Sequence, residues 1–196
     1  MKRRGMLLVV SAPSGAGKTT IVKEILRHYP SFGFSVSATT RTKRPGEVEG
    51  KDYYFLTRGE FEEKISRGEL VEYEEIYSNY YGTLKSEVEN ALRSGKDIVF
   101  DVDVKGGLSI KSKFPESVII FVKPPSLEIL RHRLEGRGSE TKEQIDRRMA
   151  RVEMELEKGR QYDYIIINDE LKRAVNEVFD IINKKRKELS SGTEAD

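Results

Sequence analysis

The 196 residues carry 35 Lys and Arg against 33 Asp and Glu, a formal charge of +2, so no global field draws the chain toward nucleic acid or an anionic membrane. With no cysteine, a disulfide framework, a thiolate nucleophile and a Cys-ligated zinc are excluded, and His28 and His132 lie far apart on what read as helix surfaces, without metal-ligand spacing. The length suits one large domain or a core with small excursions; no segment is long enough to span a membrane, the apolar run after Arg4 is too short for a signal peptide, and a cytoplasmic protein is the expectation, with a charged fraction of 35% hinting at a thermophilic source.

Met6 to Val10 is a run of five apolar residues closed by a turn signal, which reads as a buried parallel strand. Ile21, Val22, Ile25, Leu26 and Tyr29 then recur on one helical face, so the loop from Ser11 to Gly17 joins strand to helix. In that setting Gly15 and Gly17 let backbone N–H groups curl around an anion, Lys18 reaches the outer phosphates of a nucleoside triphosphate, and the Thr19 hydroxyl ligates Mg²⁺. The alternative is an ordinary glycine-rich turn with an exposed lysine. The strict motif has Gly six residues before the lysine, where this chain has Ala12; Ala serves there if φ is negative.

The helix is expected to stop near Tyr29, because Pro30 biases its predecessor away from helix. A strand over Phe34 to Ser37 opens onto a cationic loop with Arg41, Lys43 and Arg44 beside the turn Pro45-Gly46. Thr57 and Glu60 have capping-box spacing ahead of a short helix with Phe61 and Ile65 on its apolar side. Leu70 to Ile76 alternates as a strand whose Glu72 and Glu74 read as a solvent-facing edge. Val88, Ala91 and Leu92 mark a helix stopped by Gly95.

Asp97 to Asp103 is an apolar run ending in carboxylates. Asp101 and Asp103 therefore stand either at the functional carboxyl end of a strand or as caps for the helix beyond Gly106 and Gly107. Val118 to Val122 is the next buried strand, with Ser126 capping a helix through Arg133. Glycines on both sides of Arg137 predict a mobile loop rather than continuous helix, with Arg147, Arg148 and Arg151 close behind. Tyr164 to Ile167 reads as a final buried strand, and Asn168-Asp169 as the cap of a last helix through Leu171, Val175, Val178, Ile181 and Ile182. Ser190 to Asp196 is polar and expected to fray.

This alternation, with the cradle at its start, predicts an α/β chain: a P-loop three-layer parallel sheet with helices on both faces and two polar excursions. The expected division is a core of residues 1–33, 94–133 and 151–196, with one excursion over 34–93 and another over 134–150. A phosphate cradle flanked by two closing excursions fits phosphoryl transfer between nucleotides, because an open site would hydrolyse the triphosphate.

The segments SAPSGAGKTT, FSVSATTRTKRPGEVEGKDYYF, YYGT, DVDVKG, PPS, RLEGRGSET and IIIND, in that order and spacing, resemble bacterial and eukaryotic guanylate kinases over nearly the whole chain. What the resemblance implies is transfer of the ATP γ-phosphoryl group to GMP with Mg²⁺, with 34–93 as a small NMP-binding subdomain that takes GMP and 134–150 as a lid. ATP would lie on Ala12, Pro13, Ser14, Gly15, Ala16, Gly17, Lys18, Thr19 and Thr20, with Asn168 near the adenine and Thr19 as the metal ligand. Arg41, Arg44, Tyr53 and Tyr81 look like the grip on the GMP phosphate. Ser37, Glu72, Thr83 and Asp103 look like the guanine side, and Asp101 stands near the reacting phosphates. Arg133, Arg137 and Arg148 look like the lid arginines, so that Lys18, Arg41, Asp101 and these three form the catalytic set. Two departures accompany Ala12: Lys105 stands where the family usually has Gln, and Thr83 where Ser is frequent.

ATP and GMP are thus the implied partners, with no nucleic acid and no membrane. Three rival readings stay open: a guanylate-kinase-like protein-interaction module, which would have a degenerate cradle; a relative phosphorylating a ribose bisphosphate, with no use for a base-reading Glu; and a GTPase, which lacks its Asn-Lys-x-Asp stretch here.

Overall fold

The computed structural model describes residues 5–136 and 141–191. Strand β1 (Leu7–Ser11) is buried throughout, as a central parallel strand covered on both faces must be. After the glycine-rich loop, α1 (Lys18–His28) buries Ile21, Val22 and Ile25 and ends at Tyr29. Then β2 (Gly33–Ser35), β3 (Ser37–Thr39) and β4 (Tyr54–Phe55) precede α2 (Arg58–Ser66), which starts at a complete Thr57–Glu60 capping box. β5 (Leu70–Ile76) and β6 (Asn79–Leu84) form a hairpin through Tyr77 and Ser78, whose φ of 50° and 65° give the doubly left-handed turn that matches strand twist. Next come α3 (Lys85–Ser94), closed by Gly95 at φ 66°, then β7 (Ile98–Asp101), α4 (Val104–Lys113), β8 (Val118–Lys123) and α5 (Leu127–Glu135). α6 (Lys142–Gly159), β9 (Tyr164–Ile167) and α7 (Leu171–Ser191) complete the chain.

Two sheets result. The first has the order β2-β7-β1-β8-β9 with all neighbours parallel. Successive β1 side chains point to opposite faces. Leu8 and Val10 pack with Ile21, Ile25, Leu130, Val178 and Ile182, whereas Leu7 and Val9 pack with Val88, Phe100, Ile110 and Phe121. Burying such a side chain contributes about 1.5–3 kcal/mol, so this double-faced core fixes β1 and the loop that leaves it. The second sheet, β4-β3-β6-β5, covers a smaller cluster of Ala38, Phe61 and Leu70 with one face.

The expected strand over Phe34 to Ser37 is two strands. Phe34 pairs with Val99 in the first sheet and Ser37 with Thr83 in the second, the chain crossing between them at the buried Val36. The expected last buried strand is an edge strand: Ile166 is buried by α7, but Ile165 and Ile167 are 47% and 45% exposed because β9 has β8 as its one neighbour. The expected loop around Arg137 falls largely on 137–140, outside the described residues, and α6 begins beyond it at a Thr141–Gln144 capping box.

Candidate active site

The phosphate loop leaves the carboxyl end of β1. Gly15 and Gly17 have φ of 92° and 99°, open to glycine and strained for other residues, whereas the non-glycine residues at positive φ among the described ones are Tyr77 and Ser78. Ala12 therefore sits where its Cβ is tolerated. A Cβ on Gly17 would also stand 2.2 Å from Asn168 Nδ2. That amide is buried and donates to the Ala16 carbonyl at 2.8 Å, so Asn168 pins the loop instead of capping α7. Lys18 Nζ meets Asp101 Oδ1 at 2.5 Å and donates to the Val102 carbonyl at 2.9 Å. Burial works against its charge, but the adjacent Asp101 more than offsets this and its pKa lies above the usual lysine value. Thr19 and Thr20 are exposed at the first turn of α1.

The opposite face of the second sheet carries two rows of side chains. Ser37, Thr83 and Glu72 stand abreast on β3, β6 and β5, and Thr39, Tyr81 and Glu74 form the next row. Glu72, read from alternation as solvent-facing, is 7% exposed, because α4 covers this end of β5: a Cβ on Gly106 would lie 2.6 Å from Glu72 Oε2. Thr83 Oγ1 donates to Glu72 Oε1 at 2.6 Å. Burial, with Asp103 and Glu74 adding and Thr83 opposing, pushes the Glu72 carboxyl up to about 7. Asp103 caps α4, accepting from Lys105 N and Gly106 N at 2.7 and 3.0 Å, whereas Asp101 ends β7 and pairs with Lys18.

Arg41 lies 5.3 Å from the centre of the Tyr53 ring, which packs edge-on to Tyr81 at 6.2 Å. Its guanidinium is held in a two-pronged pair with Glu47, at 3.1 and 2.7 Å, and the Arg44 amide donates to the same carboxylate at 2.7 Å. Burial pushes the Tyr53 phenol up, Asp101 adds and Lys18 opposes, which places the tyrosine within electrostatic reach of the phosphate loop. The Arg44 side chain is exposed.

Arg148 on α6 donates to Ser14 Oγ in the phosphate loop, and Arg133 on α5 donates to the Asn168 carbonyl at 3.0 Å. Arg137 lies outside the described residues. Sequence reasoning missed Glu47, although its place after the Pro45-Gly46 turn folds it back on Arg41. It also assigned no role to Glu74 of β5 or to Arg151 and Glu155 of α6, although Arg151 reaches both carboxylates. The Glu155 carboxyl is pushed up to about 7 by burial, against the pull of Arg151.

The arrangement places a triphosphate cradle with a lysine–aspartate pair beside a sheet face bearing a buried carboxylate and a cluster of arginine and tyrosines. Its kinship follows the same lines. The family model described as guanylate kinase matches residues 4–185. A guanylate kinase of Symbiobacterium thermophilum is 46% identical over 181 residues, 92% of this chain and 86% of that protein. One from Clostridioides difficile is 44% identical over 188 residues, 96% and 92% of the two chains. The crystal structure of guanylate kinase from Anaplasma phagocytophilum superposes with a TM-score of 0.76 at 30% identity, covering 94% of this chain and 88% of that one. With cradle, nucleotide-facing sheet and sequence in agreement over nearly its whole length, the chain belongs to the guanylate kinase family.

Proposed function

We infer that the protein transfers the γ-phosphoryl group of ATP to GMP, giving ADP and GDP. The observation that carries this reading is the buried Glu72–Thr83 pair on the sheet facing the Lys18–Asp101 cradle, a base-reading pair opposite a phosphate-reading one. Lys18 neutralises charge on the ATP phosphates. Arg41, Tyr53 and Tyr81, with Arg44, hold the GMP phosphate, one of whose oxygens attacks the γ-phosphorus while ADP departs in line. Arg133, Arg137 and Arg148 stabilise charge on the transferring group and help exclude water. Ser37 and Asp103 complete the guanine side, and Asn168 holds the Ala16 end of the cradle. We draw the GMP-binding subdomain from Val36 to Leu84, narrower than 34–93, because β2 pairs within the first sheet and Val88 and Ala91 of α3 pack with Leu7 and Phe100.

Among the described residues no group of three or more His, Cys, Asp or Glu side chains could cage a metal. Mg²⁺ would arrive with ATP, as a hard cation that needs few protein oxygens beside phosphate and water. Thr19, exposed beside Lys18, would hold the ion, which would supply charge neutralisation on the phosphates of ATP. No helix among the described residues is long and apolar enough to cross a membrane.

The testing experiment is a coupled assay of ADP release with GMP, AMP, CMP, UMP and a ribose bisphosphate as acceptors. GMP is expected to be strongly preferred; turnover of the ribose bisphosphate, or of no acceptor at all, overturns the reading in favour of the rival kinase or the interaction module.

A pH dependence follows from Glu72. Its pKa of about 7 lies above the ordinary carboxyl value of 4.5, so the folded ligand-free protein holds a proton that the unfolded chain has released. Stability from this group is full below the unfolded value and is lost as pH rises through about 7, by roughly 3 kcal/mol in all. Guanine, a donor on this edge, selects the ionised form. The stabilisation by GMP in thermal melts should therefore grow from pH 5.5 to pH 8, and kcat/KM for GMP should fall as pH drops through about 7. A GMP-induced shift that is flat across this range in the parent protein counts against Glu72 as the acceptor.

A further inference from the structure

Where α4, α6 and β5 meet, a set of charged side chains has no part in the reaction as drawn above. Glu74 stands two residues beyond Glu72 on the same face of β5, in the row of Tyr81. Its Oε1 accepts from Lys105 Nζ of α4 at 2.6 Å and lies 3.6 Å from Arg151 Nη2 of α6. Arg151 also reaches Glu155 Oε1 at 3.6 Å, and its guanidinium lies 5.6 Å from the centre of the Tyr77 ring at the tip of the β5–β6 hairpin. The Glu74 side chain is 12% exposed and its Oε2 is buried without a hydrogen-bond partner, so its charge is balanced by Lys105 and Arg151. Surface pairs such as Arg58–Glu62, both half exposed, have no such constraint.

The geometry around β5 gives this cluster a consequence. β5 is an edge strand with β6 as its one partner, and the register shifts between Leu70 and Glu72. Backbone pairing therefore leaves its outer side to be held by side chains. Two lysines of α4 do so on either side of Glu72: Lys113 Nζ donates to the Val71 carbonyl, and Lys105 pairs with Glu74. Glu72 itself sits so close to Gly106 that a Cβ would not fit between them. On α6, Arg148 and Arg151 are three residues apart and share a helix face, one touching the phosphate loop and the other Glu74.

We propose that Glu74 is a positioning residue for GMP: Lys105 and Arg151 hold its carboxylate so that β5 presents Glu72 at a fixed separation from α4, and they tie that strand to the helix carrying Arg148. Lys105 supplies the charge this carboxylate needs at its nearest contact. The inference rests on the reading of Glu72 as the guanine acceptor.

The test is a double-mutant cycle of Glu74→Gln and Lys105→Gln, with steady-state kinetics for both substrates. Each single change is expected to raise KM for GMP roughly 5- to 30-fold, with KM for ATP close to the parent's. The double change should cost no more than the worse single, and Lys105→Arg should keep the parent's KM for GMP. Unchanged KM for GMP in both singles, a double equal to the product of the singles, or an equal rise in KM for ATP overturns the proposal. If Glu74→Gln does not fold, Lys105→Gln and Lys105→Arg decide alone, since the Lys105 side chain is 47% exposed. Glu72→Ala in the same assay separates the two readings: if it keeps the parent's base preference, the guanine reading fails, whereas base preference lost there with GMP kinetics unaltered in the Glu74 and Lys105 variants overturns this inference alone.

Discussion

Lys18→Ala is expected to lower turnover by about 10²- to 10³-fold, the range for deleting one preorganised charge aimed at a developing anion, while the protein stays folded. The ammonium is held at the mouth of the cradle by Asp101 and the Val102 carbonyl, both at the end of β7, and takes no part in either face of the core. Its side chain is 22% exposed and that of Asp101 20%, so the carboxylate left behind can rehydrate. The stability lost is then about 1 kcal/mol, a fall of roughly 2–4 °C in Tm for a domain of this size. Single-turnover and steady-state rates with ATP and GMP, beside a thermal melt, check both halves. A variant that turns over like the parent removes Lys18 from the reaction, and one that fails to fold assigns it to the scaffold instead.

The parts of this site legible in the sequence are those whose signal is local. The cradle announces itself because an apolar strand, a glycine-rich turn, Lys18 and an amphipathic helix are contiguous, and Thr57–Glu60 is a cap readable within four residues. Glu72 was legible as a site residue by resemblance alone. Its alternating surroundings gave it to solvent, and what buries it is α4, reached more than thirty residues later in the chain. The same limit hid β6, whose run of Tyr80, Tyr81, Gly82 and Thr83 has no apolar alternation and forms a strand by pairing on both sides. It hid the break at Val36 too, since nothing between Phe34 and Ser37 tells which sheet each residue will join. Asn168 looked like a helix cap from its neighbours, but its partner Ala16 is 152 positions away. The Thr141–Gln144 box was readable and was eclipsed by the glycines before it.

Glu72→Ala should collapse the choice of base. Guanine presents N1–H and its exocyclic amine side by side, two donors that one ionised carboxylate accepts together. Thr83 already donates to Glu72 Oε1, which fixes the carboxylate's plane and leaves it acceptor capacity for the base, and Ser37 stands in the same row. Adenine offers an acceptor at N1, which would face carboxylate lone pairs in a site only 7% exposed, where water cannot relieve the mismatch. Sites of this kind reject the wrong partner by factors of up to roughly 10⁴ to 10⁵. In the alanine variant KM for GMP should rise sharply and the preference for GMP over AMP should shrink by most of that factor, while KM for ATP is little changed. The same change removes a carboxylate whose ionisation burial opposes, so at pH 8 the ligand-free variant should melt no lower than the parent even though Thr83 loses its acceptor. Loss of GMP selectivity together with retained stability is what separates a base reader from a structural strand residue. If the variant still rejects AMP as firmly as the parent, the discrimination resides in Ser37 or Asp103, the other polar groups on the guanine side.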